Sequence, residues 1–103
     1  MKKKKGDGTT NWSHKHDFPI DEVWNTKNTL ARLIASRLVT FRDLDKHGYP
    51  DGLKDMREWI AAIQKMIDAF ELMKYARCLS EEENLVVDEG IALFCKYFRN
   101  LWD

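Results

Sequence analysis

Two short segments contain residue types that bind metal ions. The first, DLDKHGYPDGLK at 43–54, begins like a calcium-binding loop, with Asp43 and Asp45 as oxygen ligands and a glycine in the sixth place. Such a loop needs a bidentate glutamate in its twelfth place. That place holds Lys54, and Pro50 interrupts the eighth. We therefore predict no calcium site here.

The second segment, SHKHD at 13–17, offers His14, His16 and Asp17 as zinc ligands. Structural zinc sites are four-coordinate, and no fourth ligand lies nearby in the sequence. The chain also has no phosphate-binding glycine loop, nucleophile elbow or zinc-helix signature. We predict no metal, no cofactor and no catalytic residues, and hence a protein that is not an enzyme.

Arg37 is the residue whose position most needs an explanation. Leu30, Ile34, Arg37, Phe41 and Leu44 follow one another at steps of four and three, the spacing of residues on one face of a helix. A permanent cation therefore occupies an otherwise apolar seam. Burying an unpaired guanidinium would be costly, because arginine cannot lose its proton.

Three explanations for Arg37 remain open from the sequence. In the first, the Arg37 stem covers apolar surface at the edge of the seam while the guanidinium stays in water. In the second, the guanidinium contacts an acid or a C-terminal carbonyl of another subunit. In the third, it binds an anionic ligand. In the last case, Arg99 and Trp102 would help to hold a phosphate or a nucleobase.

The charges are unevenly distributed along the 103 residues. The formal net charge is zero, with 33% charged residues. Residues 1–16 nevertheless hold five lysines and one aspartate, so the rest of the chain carries four net negative charges. A basic arm on a mildly acidic body argues against general phosphate binding by the body.

The arm is the candidate for nucleic-acid binding. Its consecutive lysines offer salt-sensitive phosphate contacts, and Trp12 can stack on a base. The alternative is a tail that only aids solubility. The lysines are Lys2, Lys3, Lys4 and Lys5.

The remaining pattern predicts an all-α fold, an antiparallel three-helix bundle with an irregular basic N-terminal arm. The arm covers 1–20 and the bundle 21–103, with helices at about 26–46, 53–79 and 81–102. Asn25 or Thr26 is the expected first N-cap, the turn HGYPDG separates the first two helices, and Asp51 caps the second. SEEE at 80–83 predicts a capping box that opens the third.

The register of the first hairpin can also be predicted. If the turn centres near Tyr49 and Pro50, facing residues of the two helices have numbers that sum to about one hundred. Opposite charges then meet in three pairs: Arg32 with Asp68, Arg42 with Glu58, and Lys27 near Glu71.

Cysteine use and hydropathy suggest a compartment. Cys78 and Cys95 lie within helical patterns, and free thiols in a reducing cytosol are the expectation. No apolar run approaches membrane-spanning length, and the basic start is not followed by the apolar segment of a secretory leader. We expect a cytoplasmic protein without membrane contact.

A set of ordered motifs carries a family resemblance. They are W-N-x-x-x-T-L-A-x-x-I-x-x-R-L-x-x-F-R (24–42), H-G-Y-P (47–50), K-M-I-D-A-F-E-L (65–72) and E-G-I-A-L-F-C-K-Y-F-R-N-L-W (89–102). Over roughly 21–103 the chain resembles a family of small, uncharacterised proteins of tailed bacteriophages. Many members have Leu-Pro before the arginine that matches Arg37, where this chain has Ala35-Ser36. The resemblance implies a phage origin and the host cytoplasm.

Large aromatic residues exceed what three helices of this length readily bury. Surplus aromatics beside arginines are typical of interfaces, so we predict a homo-oligomer, most simply a twofold dimer. The aromatic residues in question are Tyr49, Trp59, Tyr75, Tyr97 and Trp102.

The leading functional hypothesis is a non-enzymatic phage accessory protein that binds a host factor or host anti-phage defence protein stoichiometrically. One alternative is an oligomeric sponge that sequesters a nucleotide immune signal. Another is a nucleic-acid- or virion-associated protein that uses the lysine arm. The predicted binding residues outside the arm are Arg37, Arg99, Trp102, Trp24, Tyr49 and His47.

Overall fold

The computed structural model describes residues 12–13, 18–19, 25–75 and 77–102, with only the backbone described at the first four. Three helices form the body: α1 (Thr26–Asp43), α2 (Met56–Met73) and α3 (Glu81–Tyr97), the last followed by a 3-10 turn at Phe98–Asn100. The prediction of an all-α, antiparallel three-helix bundle is confirmed.

The N-terminal arm contains a short antiparallel pairing. Strand β1 (Trp12–Ser13) pairs with β2 (Phe18–Pro19), so that Trp12 lies opposite Pro19. The sequence predicted an irregular arm, and the structure differs from this prediction at these four residues.

Helix α2 is the centre of the bundle, and α1 and α3 each pack mainly against it. At one end, the buried Trp59 ring contacts Phe41 of α1 and Tyr97 of α3, both edge-on, with centroids 6.3 and 5.5 Å away. At the other end, the Asn28 amide of α1 donates to the Met73 carbonyl just at the end of α2. Both outer helices therefore run antiparallel to α2 and parallel to each other.

The core lies along α2, where apolar residues spaced by three and four face both neighbours. Ile63 and Met66 are fully buried, and Phe70 stacks edge-on against Phe94 of α3 at 4.9 Å. The other buried core residues are Ala31, Ala35, Leu38, Trp59, Ala62, Ile67, Ala69 and Tyr97.

Helix α1 is rotated relative to the seam read from the sequence. Its buried line is Ala31, Ala35 and Leu38, whereas Leu30 and Leu44 remain about half exposed. Alanines allow α1 to approach α2 closely, so that, apart from Leu38, the large apolar side chains of α1 fall at the edge or outside. The pattern of large apolar residues therefore identified the helix but not its buried face.

Helix capping follows the sequence at α3 and departs from it at α2. Ser80 and Glu83 form the predicted capping box. The N-cap of α2 is Asp55, whose carboxylate accepts from the Glu58 N–H at 3.0 Å, and not Asp51. Asp51 instead lies in the turn before Gly52, whose φ of +98° favours glycine. Three further residues separate Gly52 from the start of α2, so Asp51 is too far from the helix to cap it.

The three expected inter-helix ion pairs are not formed, although the helices are antiparallel as assumed. Arg42 binds its neighbour Asp43 and the Gln64 side chain. The carboxylate of Asp68 accepts from Gln64 at 2.9 Å. Glu71 pairs with Lys74 on its own helix. Arg42 thus crosses the hairpin to Gln64 and not to Glu58, whereas Asp68 and Glu71 have partners three or four residues away in sequence.

Candidate functional site

An aromatic cleft lies at the end of the bundle where the α1–α2 connection meets the residues after α3. Its volume is about 210 Å³. We call it the aromatic cleft throughout. It is lined by Gly48, Tyr49, Pro50, Trp59, Asn100 and Trp102.

The wall formed by the α1–α2 connection is held by local hydrogen bonds. Pro50 is buried, and its carbonyl accepts from the Leu53 N–H at 3.3 Å to close the turn. The Tyr49 hydroxyl donates to the Lys54 carbonyl at 3.1 Å. These bonds fix the Tyr49 ring at the rim, where 44% of the residue is exposed.

The opposite wall depends on how α3 ends. After Tyr97 the chain tightens into the 3-10 turn, and the Leu101 N–H donates to the Phe98 carbonyl at 3.2 Å. This turn places Asn100 and Trp102 at the cleft. Trp102 is 76% exposed, so a large apolar ring stands in solvent at the rim of the cleft.

Trp59 forms the floor. It is only 1% exposed, yet it lines the cleft from below. Because its ring also contacts Phe41 and Tyr97, the floor is part of the core. The cleft thus has a floor that belongs to the core and a large exposed ring on its rim. Anchor residues of a partner contribute most to affinity when they fill pockets that exclude water.

The lining residues favour binding over chemistry. Those that the structure describes include no carboxylate, amine, thiol or imidazole, so they supply the cleft with neither a general base of ordinary strength nor a metal ligand of the usual kinds. Its volume is below that of typical small-molecule pockets, about 300–1,000 Å³, and suits one side chain or one nucleobase.

The structure brings together two of the predicted binding residues, Tyr49 and Trp102, in this cleft. His47 and Arg99 directly adjoin the lining residues Gly48 and Asn100 in sequence, but they are not lining residues themselves. Sequence reasoning missed Asn100 and Pro50. The available signal was position: Pro50 lies in the α1–α2 connection and Asn100 follows α3, and antiparallel helices bring these two segments to the same end of the bundle.

Arg37 lies elsewhere, on the exposed side of α1. Its Nη1 donates to the Leu33 carbonyl at 3.3 Å and to Ser36 Oγ at 3.4 Å, and it forms no ion pair with any residue that the structure describes. Arg37 does not line the aromatic cleft. This exposed position at the edge of the apolar seam is the one that the first explanation predicts, and it leaves the guanidinium accessible to an acid of another subunit.

Several predicted residues lie outside the described part of the chain. Trp24 and the lysines Lys2, Lys3, Lys4 and Lys5 belong to this group, as do His14, His16 and Asp17 of the possible metal-binding segment. For Trp12, the structure describes only the backbone pairing. Within residues 25–75 and 77–102, no three His, Cys, Asp or Glu side chains come together as a metal site.

A second, more polar cavity of about 290 Å³ lies at the opposite pole. It is formed by the start of α1 and the end of α2, with Arg32, Lys74 and Tyr75 among its lining residues. The Arg32 guanidinium donates to the Lys74 carbonyl at 3.4 Å, and the Lys74 ammonium pairs with Glu71 at 2.9 Å. Both cations are therefore already engaged within the chain.

Perturbed pKa values belong to ion pairs at helix ends. The hydrogen bond from Arg77, together with one from the Ser80 backbone, lowers the pKa of Glu83 to about 2. The hydrogen bond from Arg42 lowers the pKa of Asp43, and the Glu71 carboxylate raises the pKa of Lys74. These shifts are explained by structural pairs and do not indicate catalysis.

Comparison with known protein families, with curated proteins and with solved structures finds no match. Among the described helices, none combines the length and apolar character needed to cross a membrane.

Proposed function

We propose that this chain is a non-enzymatic binding protein that acts by stoichiometric contact with another protein, and that the aromatic cleft receives an anchor side chain of that partner. The observation that carries the proposal is the exposure of Trp102, 76%, on the rim of a cleft whose floor is the buried Trp59. The lining residues that the structure describes, from residues 25–75 and 77–102, carry no carboxylate, amine, thiol or imidazole.

The resemblance to tailed-bacteriophage proteins extends the proposal. In that setting the chain works in the host cytoplasm as an accessory protein, and its partner is a host factor or a component of host anti-phage defence. A small protein without catalysis must be made in amounts comparable to its target, and it gains most from a tight, preorganised contact.

Affinity purification from host lysate tests the proposal with matched variants. The wild-type chain should recover a partner near equimolar yield, Trp102→Ala should lose it, and Tyr75→Ala, which removes an exposed ring at the opposite pole, should retain it. Equal recovery by wild type and Trp102→Ala, or recovery of no partner, would remove the cleft as the binding site.

A nucleotide-type ligand is the second candidate, favoured by the chemistry of the cleft. Tyr49 and Trp102 offer ring faces for stacking, and the Asn100 side chain offers the amide that pairs with base edges. Arg99 is next in sequence and would meet a phosphate. A panel of cyclic and ADP-ribose-type nucleotides should then raise the melting temperature, and both Trp102→Ala and Asn100→Ala should abolish the rise. No rise across the panel excludes this candidate.

A further inference from the structure

Helix α1 carries an exposed apolar surface with a cation at its centre, which we call the α1 stripe. It consists of Leu30, Leu33, Arg37 and Leu44, and the three leucines are 49%, 44% and 54% exposed. At 3.6 residues per turn, Leu30, Leu33 and Arg37 fall within an arc of roughly 60°, and Leu44 follows as the C-cap residue of α1. The arc lies on the side of α1 away from its buried residues Ala31, Ala35 and Leu38.

Helix α3 carries a surface of the complementary kind, which we call the α3 stripe. It consists of Glu81, Leu85, Asp88 and Ala92, all exposed, with Leu85 at 68%. These residues follow one another at steps of four, three and four, so they too share one helix face. That face is opposite Gly90 and Tyr97, the buried residues of α3.

Charge distinguishes the two stripes. The α1 stripe has leucines around a cation, and the α3 stripe has a leucine between two acids. Arg37 and Asp88 each lack an ion pair with any other described residue, as the ion pairs of this part of the chain involve other side chains. The helices differ in the same sense: α1 has four cations and one acid, net +3, whereas α3 has five acids and one cation, net −4.

The two stripes do not meet within one molecule. Gln64 of α2 contacts Arg42 of α1, whereas Lys65 of α2 pairs with Glu89 of α3 at 2.7 Å, so the outer helices occupy different sides of α2. Each stripe faces away from α2. A stripe of one copy is therefore available to the other stripe of a second copy.

We propose that the α1 stripe binds the α3 stripe of a second copy of this chain, with Arg37 against Asp88 of the neighbouring copy and the α1 leucines against Leu85 and Ala92. Covering the leucines removes exposed apolar area from water. The opposed helix charges favour this docking and disfavour the pairing of two like stripes. Because two different surfaces meet, the contact is heterologous and builds a ring or a row of copies. This departs from the twofold dimer expected from the sequence.

Charge reversal at the two central residues tests this arrangement. Arg37→Glu places an acid opposite Asp88, and Asp88→Arg places a cation opposite Arg37, so each variant alone should behave as a 12.2 kDa monomer by light scattering at a concentration where the wild type is assembled. In an equimolar mixture, the α1 stripe of the Arg37→Glu variant meets the α3 stripe of the Asp88→Arg variant, and the unchanged Arg37 meets the unchanged Asp88. Both contacts then join opposite charges, so the mixture should assemble again.

Both substitutions are at exposed positions, and their circular dichroism spectra should match the wild type. Arg57→Glu makes the same charge change at a side chain that is 94% exposed on α2, outside both stripes, and should leave assembly unchanged. A wild type that remains monomeric at 100-fold higher concentration overturns the proposal. So does an Asp88→Arg variant that assembles like the wild type, because α1 would then bind something other than α3.

Discussion

Gly90 of α3 lies against Ala69 of α2 so closely that a Cβ at position 90 would overlap the Ala69 methyl group and approach the Lys65 carbonyl oxygen to 2.6 Å. The two helices are in backbone contact at this level, and the Lys65–Glu89 ion pair lies beside it. Two small residues on facing helices thus set the spacing between α2 and α3.

Gly90→Ala should therefore destabilise the fold. Overpacking a close contact costs typically about 1–3 kcal/mol, and the gain in helix propensity on leaving glycine, about 1 kcal/mol, offsets only part of it. Urea unfolding followed by circular dichroism measures the difference. Gly48→Ala is the control, because nothing lies within 4 Å of the added methyl group. A Gly90→Ala protein as stable as the wild type would contradict the close approach.

Trp59→Ala should be among the most damaging single changes. It removes the ring that contacts both outer helices, and large-to-small changes of buried aromatics cost about 3–5 kcal/mol. Trp102→Ala removes a ring of the same type from an exposed position, and it should change the unfolding free energy by no more than about 0.5 kcal/mol. Denaturant unfolding of both variants checks the contrast, and comparable losses would place Trp102 in the core instead.

Stability should fall in acid through Glu83. Its folded-state pKa is about 2 against an ordinary value of 4.5, so the unfolded chain takes up this proton first. The contribution of Glu83 is thus complete above pH 4.5 and is lost as the pH falls toward 2. Glu83→Gln, which keeps a capping-box side chain, should flatten the dependence of the urea midpoint on pH in this range. Arg77→Gln, which removes the guanidinium that lowers this pKa, should flatten it as well.

Helix caps should differ measurably in what they contribute. Ser80 accepts from the Glu83 N–H at 3.1 Å, and Ser80→Ala should cost about 1 kcal/mol of unfolding free energy. Asn25 occupies the N-cap of α1 but its side chain makes no capping bond, so Asn25→Ala should stay within about 0.5 kcal/mol of the wild type. Equal losses in thermal or urea unfolding would show that the two caps contribute alike.

The sequence predicted the helices better than it predicted their faces. In α2, Ile63, Ile67 and Phe70 recur at helical spacing and all three are buried, because large residues dominate the buried side of this helix. In α1 the buried side is built around alanines, and alanine carries little hydrophobic signal. The apparent seam through Arg37 was therefore the half-exposed flank of the helix, which explains why a cation is tolerated there.

The candidate site was predictable only in part. Tyr49 and Trp102 were singled out because the large aromatic residues exceed what three helices of this length readily bury. Asn100 and Pro50 were missed because an asparagine and a proline that lie far apart in the sequence give no signal that they line the same cleft. The contribution of Asn100 depends on the 3-10 turn after α3, which brings residues 100 and 102 toward the α1–α2 connection.

The double role of Trp59 couples occupancy of the aromatic cleft to the integrity of the whole chain. A molecule seated there rests on the indole that joins the three helices, so it binds the native state and has no equivalent site in the unfolded chain. By mass action, a ligand at 100 times its dissociation constant would add about 2.7 kcal/mol to the free energy of unfolding. Resistance to denaturant is therefore itself an assay with which candidate ligands and partner peptides can be screened.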